Sequence, residues 1–209
     1  MRFSFILLGG GNSNRFNSYT PKQYHKIAGK TLVDISLKKI KQFKEIKTII
    51  YVYNKKHKKH FKDTDLKGVK LIEGGKTRHE STYNALNYLI KKKKVGKVLI
   101  HDAARPNFSQ KLIKSILVNS KKHKSVIPFL KIQDALKKKK KQKFVNLDRN
   151  KFFLTQTPQC FNLNQIFQWQ VFEDNFLLRY RALIYSWHNV LESDKRLYYS
   201  YQRQEENYK

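Results

Sequence analysis

The sequence predicts a single α/β domain built on a mostly parallel, twisted sheet. Its 209 residues are 40 % hydrophobic, which is enough to bury a core and excludes wholesale disorder. Segments with the apolar pattern of buried strands alternate with segments whose apolar residues recur at helical spacing. Such alternation is typical of parallel sheets covered by helices, in which ligands bind where the carboxyl ends of the strands meet.

The first strand is the clearest of these elements. Phe3–Leu8 is a continuous apolar run that ends at Gly9, Gly10 and Gly11, as expected of a buried strand entering a glycine-rich loop. The next apolar periodicity, over Leu32–Phe43, predicts a helix. In chain order, further strands are predicted at Thr48–Tyr53, Val69–Ile72, Val98–Ile100 and Val126–Leu130, and further helices at Lys55–Lys62, Thr82–Ile90 and Leu112–Val118.

The formal net charge of +30 raises the question of a polyanionic partner. Of the 45 basic residues, 36 are Lys and 9 are Arg, and the lysines are spread along much of the chain. A nucleic-acid reader usually concentrates Arg and aromatic residues in one element. We therefore expect solvated lysines and no specific nucleic-acid partner, with weak non-specific binding from charge alone.

The same composition indicates a compartment. No apolar run approaches the ~20 residues of a membrane span, and no signal peptide is recognisable, so no membrane partner is expected. The single cysteine, Cys160, excludes an internal disulfide and fits a reducing environment. We expect a cytoplasmic protein in which Cys160 is a passive apolar residue.

Two cations flank the glycine-rich loop. A turn of glycines lets backbone N–H groups approach phosphates closely, because no Cβ intervenes. Arg15 follows this turn, and Lys22 follows Pro21 six residues later. Charges placed in this way suit the charge that develops on a nucleotidyl phosphate during transfer. A tight strand-to-helix turn without a ligand is the structural alternative.

A second polar segment follows the strand Val98–Ile100. Within His101–Pro106, Asp102 stands at the carboxyl end of that strand, where a carboxylate is a natural ligand for Mg²⁺ that also binds substrate phosphates. A helix cap is the structural alternative for Asp102. Further along, Arg149 and Thr157 are candidates to hold a phosphate on a second substrate.

Taken together, these segments resemble the 2-C-methyl-D-erythritol 4-phosphate cytidylyltransferase family. The order and spacing of its motifs agree over about residues 3–166. The matching segments are Gly9–Arg15, Pro21–Tyr24, Gly74–Ser81, His101–Pro106, and Arg149 with Thr157–Gln159. The resemblance implies a Rossmann-like three-layer nucleotidyltransferase fold. It also implies a protruding dimerisation arm at about 131–147, and hence a homodimer.

The resemblance also implies an activity. CTP and 2-C-methyl-D-erythritol 4-phosphate would give 4-diphosphocytidyl-2-C-methyl-D-erythritol and pyrophosphate, with Mg²⁺ as cofactor, in isoprenoid precursor synthesis by the non-mevalonate pathway. By the same resemblance, Arg15 and Lys22 stabilise the transition state, and Asp102 serves the metal. Nucleotide contacts are implied for Gly9, Gly10, Gly11, Gly75, Ser81 and Asp102, and contacts to the acceptor substrate for Arg105, Arg149 and Thr157.

Some positions depart from the family pattern. Ser13 replaces the second glycine of the loop, which ordinary backbone dihedrals would accommodate. Asp134–Ala135 replaces an Asp–Thr pair in the arm, and Lys137–Lys141 adds like charges there. Two alternatives remain open: a cytidylyltransferase for a pentitol phosphate such as ribitol 5-phosphate, and an inactive basic protein that binds nucleic acid.

The C-terminal segment departs most. Residues 1–159 hold 34 Lys and 5 Arg, whereas residues 160–209 hold 2 Lys and 4 Arg. The family's T-D-D and N-x-K-[IV]-T segments are absent. We therefore divide the chain into a cytidylyltransferase domain, 1–166, and an atypical tail, 167–209. A reading-frame shift at about residues 167–180 would explain a tail that packs poorly, and a divergent tail is the alternative.

Overall fold

A six-stranded sheet forms the centre of the protein. The computed structural model describes residues 1–11, 13, 18–94, 96–172 and 191–192, and the side chains up to residue 170. All neighbouring strands of this sheet are parallel except β12, which is antiparallel to both of its neighbours. In spatial order the strands are β5 (Lys70–Glu73), β4 (Ile46–Tyr53), β1 (Phe3–Gly9), β6 (Lys97–Asp102), β12 (Gln159–Asn162) and β7 (Ser125–Val126).

Helices cover both faces of the sheet. Along β1, Phe3, Phe5 and Leu7 belong to one buried cluster and Ile6 to the other, because successive side chains of a strand point to opposite faces. The first cluster includes apolar residues of α1 (Leu32–Ile40) and α3 (Gln110–Asn119), and the second those of α2 (Arg78–Lys91) and α4 (Leu163–Phe172). The predicted three-layer α/β fold with a mostly parallel sheet is confirmed.

Hydroxyl side chains fix where the helices begin. Thr31, Thr77 and Ser109 cap α1, α2 and α3, and each side-chain oxygen accepts a backbone N–H three residues later. Such a bond satisfies one of the donors that the first helical turn leaves unpaired.

Two predicted elements take a different form. Residues predicted as the helix Lys55–Lys62 form a 3₁₀ helix, Lys55–Asp63. The strand predicted at Val126–Leu130 divides into β7 and β8 (Pro128–Lys131), which lie in different sheets. The division falls at Pro128, whose nitrogen has no proton to donate to a strand ladder. Beside β8 lie β11 (Phe153–Thr155) and β13 (Leu191–Glu192).

Short elements complete the described chain. Two further 3₁₀ helices span Lys22–Tyr24 and Arg149–Lys151. A small hairpin joins β2 (Lys26–Ile27) and β3 (Lys30–Thr31). Burial raises the pKa of the Cys160 thiol to about 12, so this cysteine is a protonated core residue. Among the described helices, none is both long and apolar enough to cross a bilayer.

The segment predicted to be an arm contains an exposed hairpin. Its strands β9 (Leu136–Lys140) and β10 (Lys143–Leu147) pair with each other and, within the described part of the chain, with no further strand. Lys140 pairs directly with Lys143, and Phe144 is 66 % exposed. Like charges that face one another across a hairpin destabilise it and repel other cations. That the hairpin joins two chains stays a prediction.

The predicted boundary at residue 166 falls inside α4. Phe167 stacks on Tyr83 with ring centroids 5.8 Å apart, and Trp169 packs against the same core cluster as Ile166. Gln170 is 3 % exposed. The start of the predicted tail, 167–170, therefore packs on the domain. Most of the remainder, 173–190 and 193–209, lies outside the described residues, and the frame-shift hypothesis stays a prediction.

Candidate active site

Several of the predicted site residues gather at the carboxyl edge of the sheet. β1 lies between β4 and β6 and is parallel to both, so the three strands end on the same side. Leu8 is in register with Asp102, and Gly9 with Tyr53. The carbonyl of Leu8 accepts the N–H of Ala103 at 2.8 Å, which joins the glycine loop to the segment that follows β6.

Gly9 has a packing reason to be glycine. A Cβ at this position would lie 2.4 Å from Cε2 of the Tyr51 ring, closer than carbon atoms approach. Tyr51 is fully buried, and its hydroxyl donates to that of Tyr24 at 2.9 Å. Burial raises the pKa of Tyr51 well above its usual value, so the phenol remains neutral. The Tyr51 ring therefore packs directly against the backbone at the start of the loop.

Gly10 lies close to the turn formed by Gly74 and Gly75. A Cβ on Gly10 would lie 3.4 Å from the hydroxyl of Ser81, and one on Gly74 would lie 2.8 Å from it. The Ser81 hydroxyl accepts the N–H of Gly75 at 3.1 Å. Asn54 donates its side-chain N–H to the carbonyl of Gly10 at 3.2 Å. The structure thus brings the predicted nucleotide residues Gly10, Gly75 and Ser81 together.

Asp102 lies between two guanidinium groups. Its Oδ1 accepts from Nε and Nη2 of Arg78 at 3.3 and 3.2 Å, and its Oδ2 lies 3.5 Å from Nε of Arg105. The two arginine side chains are about half exposed, and Asp102 is 29 % exposed. The cluster carries one net positive charge open to solvent, which favours an anionic ligand.

A metal at this edge would depend on Asp102. Among the residues that the structure describes, no group of three or more His, Cys, Asp or Glu side chains is placed to hold an ion. Asp102 is 29 % exposed, so its carboxylate is partly open to solvent. Mg²⁺ commonly takes one or two carboxylates and completes its shell with water and substrate phosphates, which a single carboxylate fits. Magnesium at this edge stays a prediction.

His101 is fully buried and fixes Thr157. Burial lowers the pKa of His101 to about 4, so the ring is neutral at pH 7. Its Nε2 lies 2.8 Å from the carbonyl of Arg105 and its Nδ1 lies 2.7 Å from the hydroxyl of Thr157. Because a carbonyl only accepts, the network assigns the proton to Nε2, and Thr157 donates to Nδ1. Thr157 is thereby held beside β6.

Lys22 is tied to the glycine loop through Ser13. The backbone N–H of Lys22 donates to the Ser13 hydroxyl at 3.0 Å. Ser13 has a φ of +55°, so the condition of ordinary dihedrals, under which serine would replace the family's glycine without strain, is not met. The hydroxyl at this left-handed position makes hydrogen bonds that a glycine lacks. Arg15, the other predicted transition-state cation, lies outside the described residues.

Arg149 is not drawn into the same cluster. It lies in the 3₁₀ helix Arg149–Lys151, and its guanidinium donates to the main-chain oxygen of Gln133 just before the hairpin arm. This hydrogen bond connects Arg149 to the base of the arm. The predicted contact of Arg149 with an acceptor phosphate stays a prediction.

Comparison with known proteins agrees with this geometry. The profile of the family described as IspD, 2-C-methyl-D-erythritol 4-phosphate cytidylyltransferase, matches residues 4–173. The 2-C-methyl-D-erythritol 4-phosphate cytidylyltransferase of Clostridium perfringens (strain SM101) is 35 % identical over 171 residues, which are 77 % of this chain and 73 % of that protein. This chain belongs to the IspD family.

Other members of the IspD family differ in length. The bifunctional enzyme IspD/IspF of Pelagibacter ubique is 45 % identical over 170 residues, 81 % of this chain but 46 % of that protein. The chain therefore spans about half of this longer relative. The solved IspD of Francisella tularensis superposes with a TM-score of 0.72 at 25 % identity, covering 97 % of this chain and 99 % of that one.

Two residues of the site, Arg78 and Gln23, are not among those predicted from the sequence. Arg78, three residues after Gly75, lies in the quoted IspD segment Gly74–Ser81, but only the fold brings it to Asp102. Gln23 stands beside Lys22 and contacts the loop through hydrogen bonds that link positions ten or more residues apart. Their place inside family motifs is the signal that could have identified them.

Proposed function

We propose that this chain transfers the cytidylyl group of CTP to 2-C-methyl-D-erythritol 4-phosphate, releasing pyrophosphate. The observation that carries the proposal is the meeting of three predicted segments at one strand edge: Gly9–Gly11, Gly74–Ser81 and Asp102 with its two arginines. The names of the family and of its single-function relatives state 2-C-methyl-D-erythritol 4-phosphate as the acceptor and the cytidylyl group as the group transferred. The product belongs to isoprenoid precursor synthesis.

The reaction is an in-line substitution at phosphorus. A phosphate oxygen of the acceptor forms a bond to the α-phosphorus of CTP, and the bond from that phosphorus to the bridging oxygen of pyrophosphate breaks. No covalent enzyme intermediate is required, so the protein contributes position and charge. In the proposed roles, Arg15 and Lys22 balance the charge that develops at phosphorus, and the backbone of Gly9–Gly11 lies against the triphosphate.

Magnesium completes the proposal. Asp102 is the residue that would hold it, with the remaining ligands from phosphate and water. Bound there, the ion would supply positive charge to the triphosphate. Arg78 and Arg105 already contact the same carboxylate, so they hold Asp102 at the strand edge and contribute cations that can reach phosphate oxygens.

The acceptor is proposed to bind on the side of Arg105 and Thr157. Because the Thr157 hydroxyl donates its hydrogen bond to Nδ1 of His101, towards any other group it can act only as an acceptor. Thr157 therefore suits a hydroxyl of the methylerythritol chain, whereas Arg105 and Arg149 suit the phosphate. A pentitol phosphate such as ribitol 5-phosphate also has hydroxyls, so it remains the second candidate.

A pyrophosphate-release assay tests the proposal. With CTP and Mg²⁺ we expect turnover with 2-C-methyl-D-erythritol 4-phosphate and at least tenfold less with ribitol 5-phosphate. Lys22→Ala should lower kcat by about a hundredfold or more, since it removes a charge that acts on the transition state. The matched control is Lys30→Ala, at an exposed position of β3. Salt-sensitive RNA binding without CTP turnover would instead favour the basic nucleic-acid-binding alternative.

The proposal extends to assembly and compartment. A homodimer formed through the arm is proposed because the hairpin leaves Phe144 and Val145 exposed. A cytoplasmic location is proposed on the buried thiol of Cys160. No specific nucleic-acid or membrane partner is proposed. These statements are tested by sedimentation and by fractionation of cells.

The tail carries a separate proposal. We retain the hypothesis that the reading frame shifts at about residues 167–180, so that the tail 167–209 is not family sequence. The family match ends at residue 173, within this interval. Resequencing the DNA tests it, because an alternative frame should encode T-D-D and N-x-K-[IV]-T downstream. A single frame without those segments contradicts the hypothesis and leaves a divergent tail.

A further inference from the structure

The Gln23 carboxamide connects the two segments that flank the nucleotide site. Gln23 is 3 % exposed. Its Nε2 donates to the carbonyl of Gly9 at 2.7 Å and to that of Gly11 at 3.3 Å, and its Oε1 accepts from the Ser13 hydroxyl at 3.2 Å. Both ends of a buried amide are thus bonded to the loop, which fixes the side chain because breaking either end would leave a polar atom without water.

The Ser13 hydroxyl closes the connection. It donates to Gln23 and accepts the backbone N–H of Lys22 at 3.0 Å, which uses its one proton and one of its lone pairs. At φ +55° a glycine would be free of steric strain. A glycine would also lose both hydrogen bonds. Serine at this position therefore accepts backbone strain and gains a hydrogen bond to Lys22.

We propose that Ser13 and Gln23 are positioning residues that hold the nucleotide loop and Lys22 in one relative geometry. Neither is assigned a contact with the reacting atoms: Gln23 acts through loop carbonyls, and Ser13 acts through the backbone of Lys22. The inference rests on the proposed cytidylyl transfer at this site. A loosened connection should slow the transfer step more than it weakens CTP binding, because a displacement of about 1 Å is costly to catalysis by positioning.

Two substitutions at Ser13 separate the hydroxyl from the backbone strain. Ser13→Ala removes the hydroxyl and keeps the strain, whereas Ser13→Gly removes both. We expect both to lower kcat about tenfold and to change the KM for CTP by no more than about twofold. Gln23→Glu, which keeps the shape but loses the donor to Gly9, should behave in the same way. The control is Ser18→Ala, whose hydroxyl bonds to His25 and Thr20 but not to Lys22.

Hydrogen–deuterium exchange provides a measurement that does not require turnover. The Lys22 amide should exchange faster in Ser13→Gly and Ser13→Ala than in the wild type or in Ser18→Ala. A wild type without turnover would contradict the proposed function alone, and the exchange rates would still decide the connection. The inference is overturned if Ser13→Gly matches or exceeds the wild-type kcat, or if Lys22 exchange is unchanged in both Ser13 variants.

Discussion

At the residue scale, His101 shows how burial converts an ionisable group into a structural one. Its ring is neutral because burial lowers the pKa to about 4, and its two nitrogens join the carbonyl of Arg105 to the hydroxyl of Thr157. A His that carried charge would donate from both nitrogens and would turn the Thr157 hydroxyl around. The residue next to Asp102 thus orients Thr157, which lies on the proposed acceptor side.

Stability should consequently fall as the medium becomes acidic. The unfolded chain binds a proton on His101 below about pH 6.5, whereas the folded chain resists protonation until about pH 4. The favourable contribution is therefore complete above pH 6.5 and is lost as pH falls through this window, by up to about 3 kcal/mol. Urea unfolding at several pH values measures it.

The matching variant is His101→Gln, which cannot titrate. Burial also lowers the pKa values of His57 and His60, so both also lower stability as the pH falls. Since both remain in the variant, the difference between the two pH profiles isolates His101. Parallel profiles for wild type and variant would contradict the assignment of a buried neutral ring.

Sequence motifs predict which residues form the site better than they predict the conformations of those residues. The motifs predict Asp102, Gly75 and Ser81 as site residues, and the fold brings each of them to the same edge of the sheet. The left-handed φ of Ser13 could not be predicted, because backbone angles at a loop position depend on contacts made elsewhere in the chain. The link from Arg78 to Asp102 spans 24 positions and needs the register of two strands and a helix.

At the element scale, helix α2 delivers two site residues at once. Its first turn carries Arg78, which meets Asp102, and Ser81, whose hydroxyl receives Gly75. The start of the helix is set by Thr77, whose side chain accepts the N–H of Glu80 at 3.0 Å. The cap is thus both a stabilising and a positioning feature.

Removing this cap should affect activity as well as stability. Thr77→Ala is expected to lower the free energy of unfolding by about 1 kcal/mol and to raise the KM for CTP several-fold, because the first turn frays. Thr31→Ala removes the equivalent cap of α1, a helix that carries none of the predicted nucleotide contacts, and should cost similar stability with no change in KM. Equal KM changes in the two variants would contradict the positioning role of Thr77.

Strands with strong patterns were predictable, and the departures have physical causes. Apolar runs such as Phe3–Leu8 identified central strands because both faces of the sheet are covered. The antiparallel direction of β12 could not be predicted, since pairing direction leaves no mark on so short an apolar run. The 3₁₀ form of Lys55–Asp63 is likewise hidden, because five lysines in nine residues fit any exposed helix.

At the scale of the whole molecule, the hairpin arm combines exposed apolar residues with concentrated charge. Lys137–Lys141 lie beside Phe144 and Val145, so a surface that suits association also repels its own copy. Ionic screening shortens the reach of this repulsion from about 30 Å at 0.01 M salt to about 8 Å at 0.15 M. Association through the arm is therefore expected to depend on salt.

Sedimentation at low and physiological salt measures this dependence. We expect the wild type to dimerise at least about tenfold more tightly at the higher salt. Changing Lys137, Lys138, Lys139 and Lys140 to Gln should tighten the dimer at low salt and flatten the dependence. The same change at Lys91–Lys94 removes equal charge at the end of α2 and should give the same salt dependence of dimerisation as the wild type. Identical salt profiles in all three proteins would contradict the arm as the interface.

The contact between Gly9 and Tyr51 has a consequence for how this protein can evolve. Because any Cβ at Gly9 occupies the space of the Tyr51 ring, the two positions are not free to vary separately. A larger residue at Gly9 becomes accessible only on a background where Tyr51 has first been replaced by a smaller one. That change would break the buried hydrogen bond between the hydroxyls of Tyr51 and Tyr24. The intermediate with only Tyr51 replaced would therefore be less stable than either end of the path. The two residues should therefore be inherited as a unit.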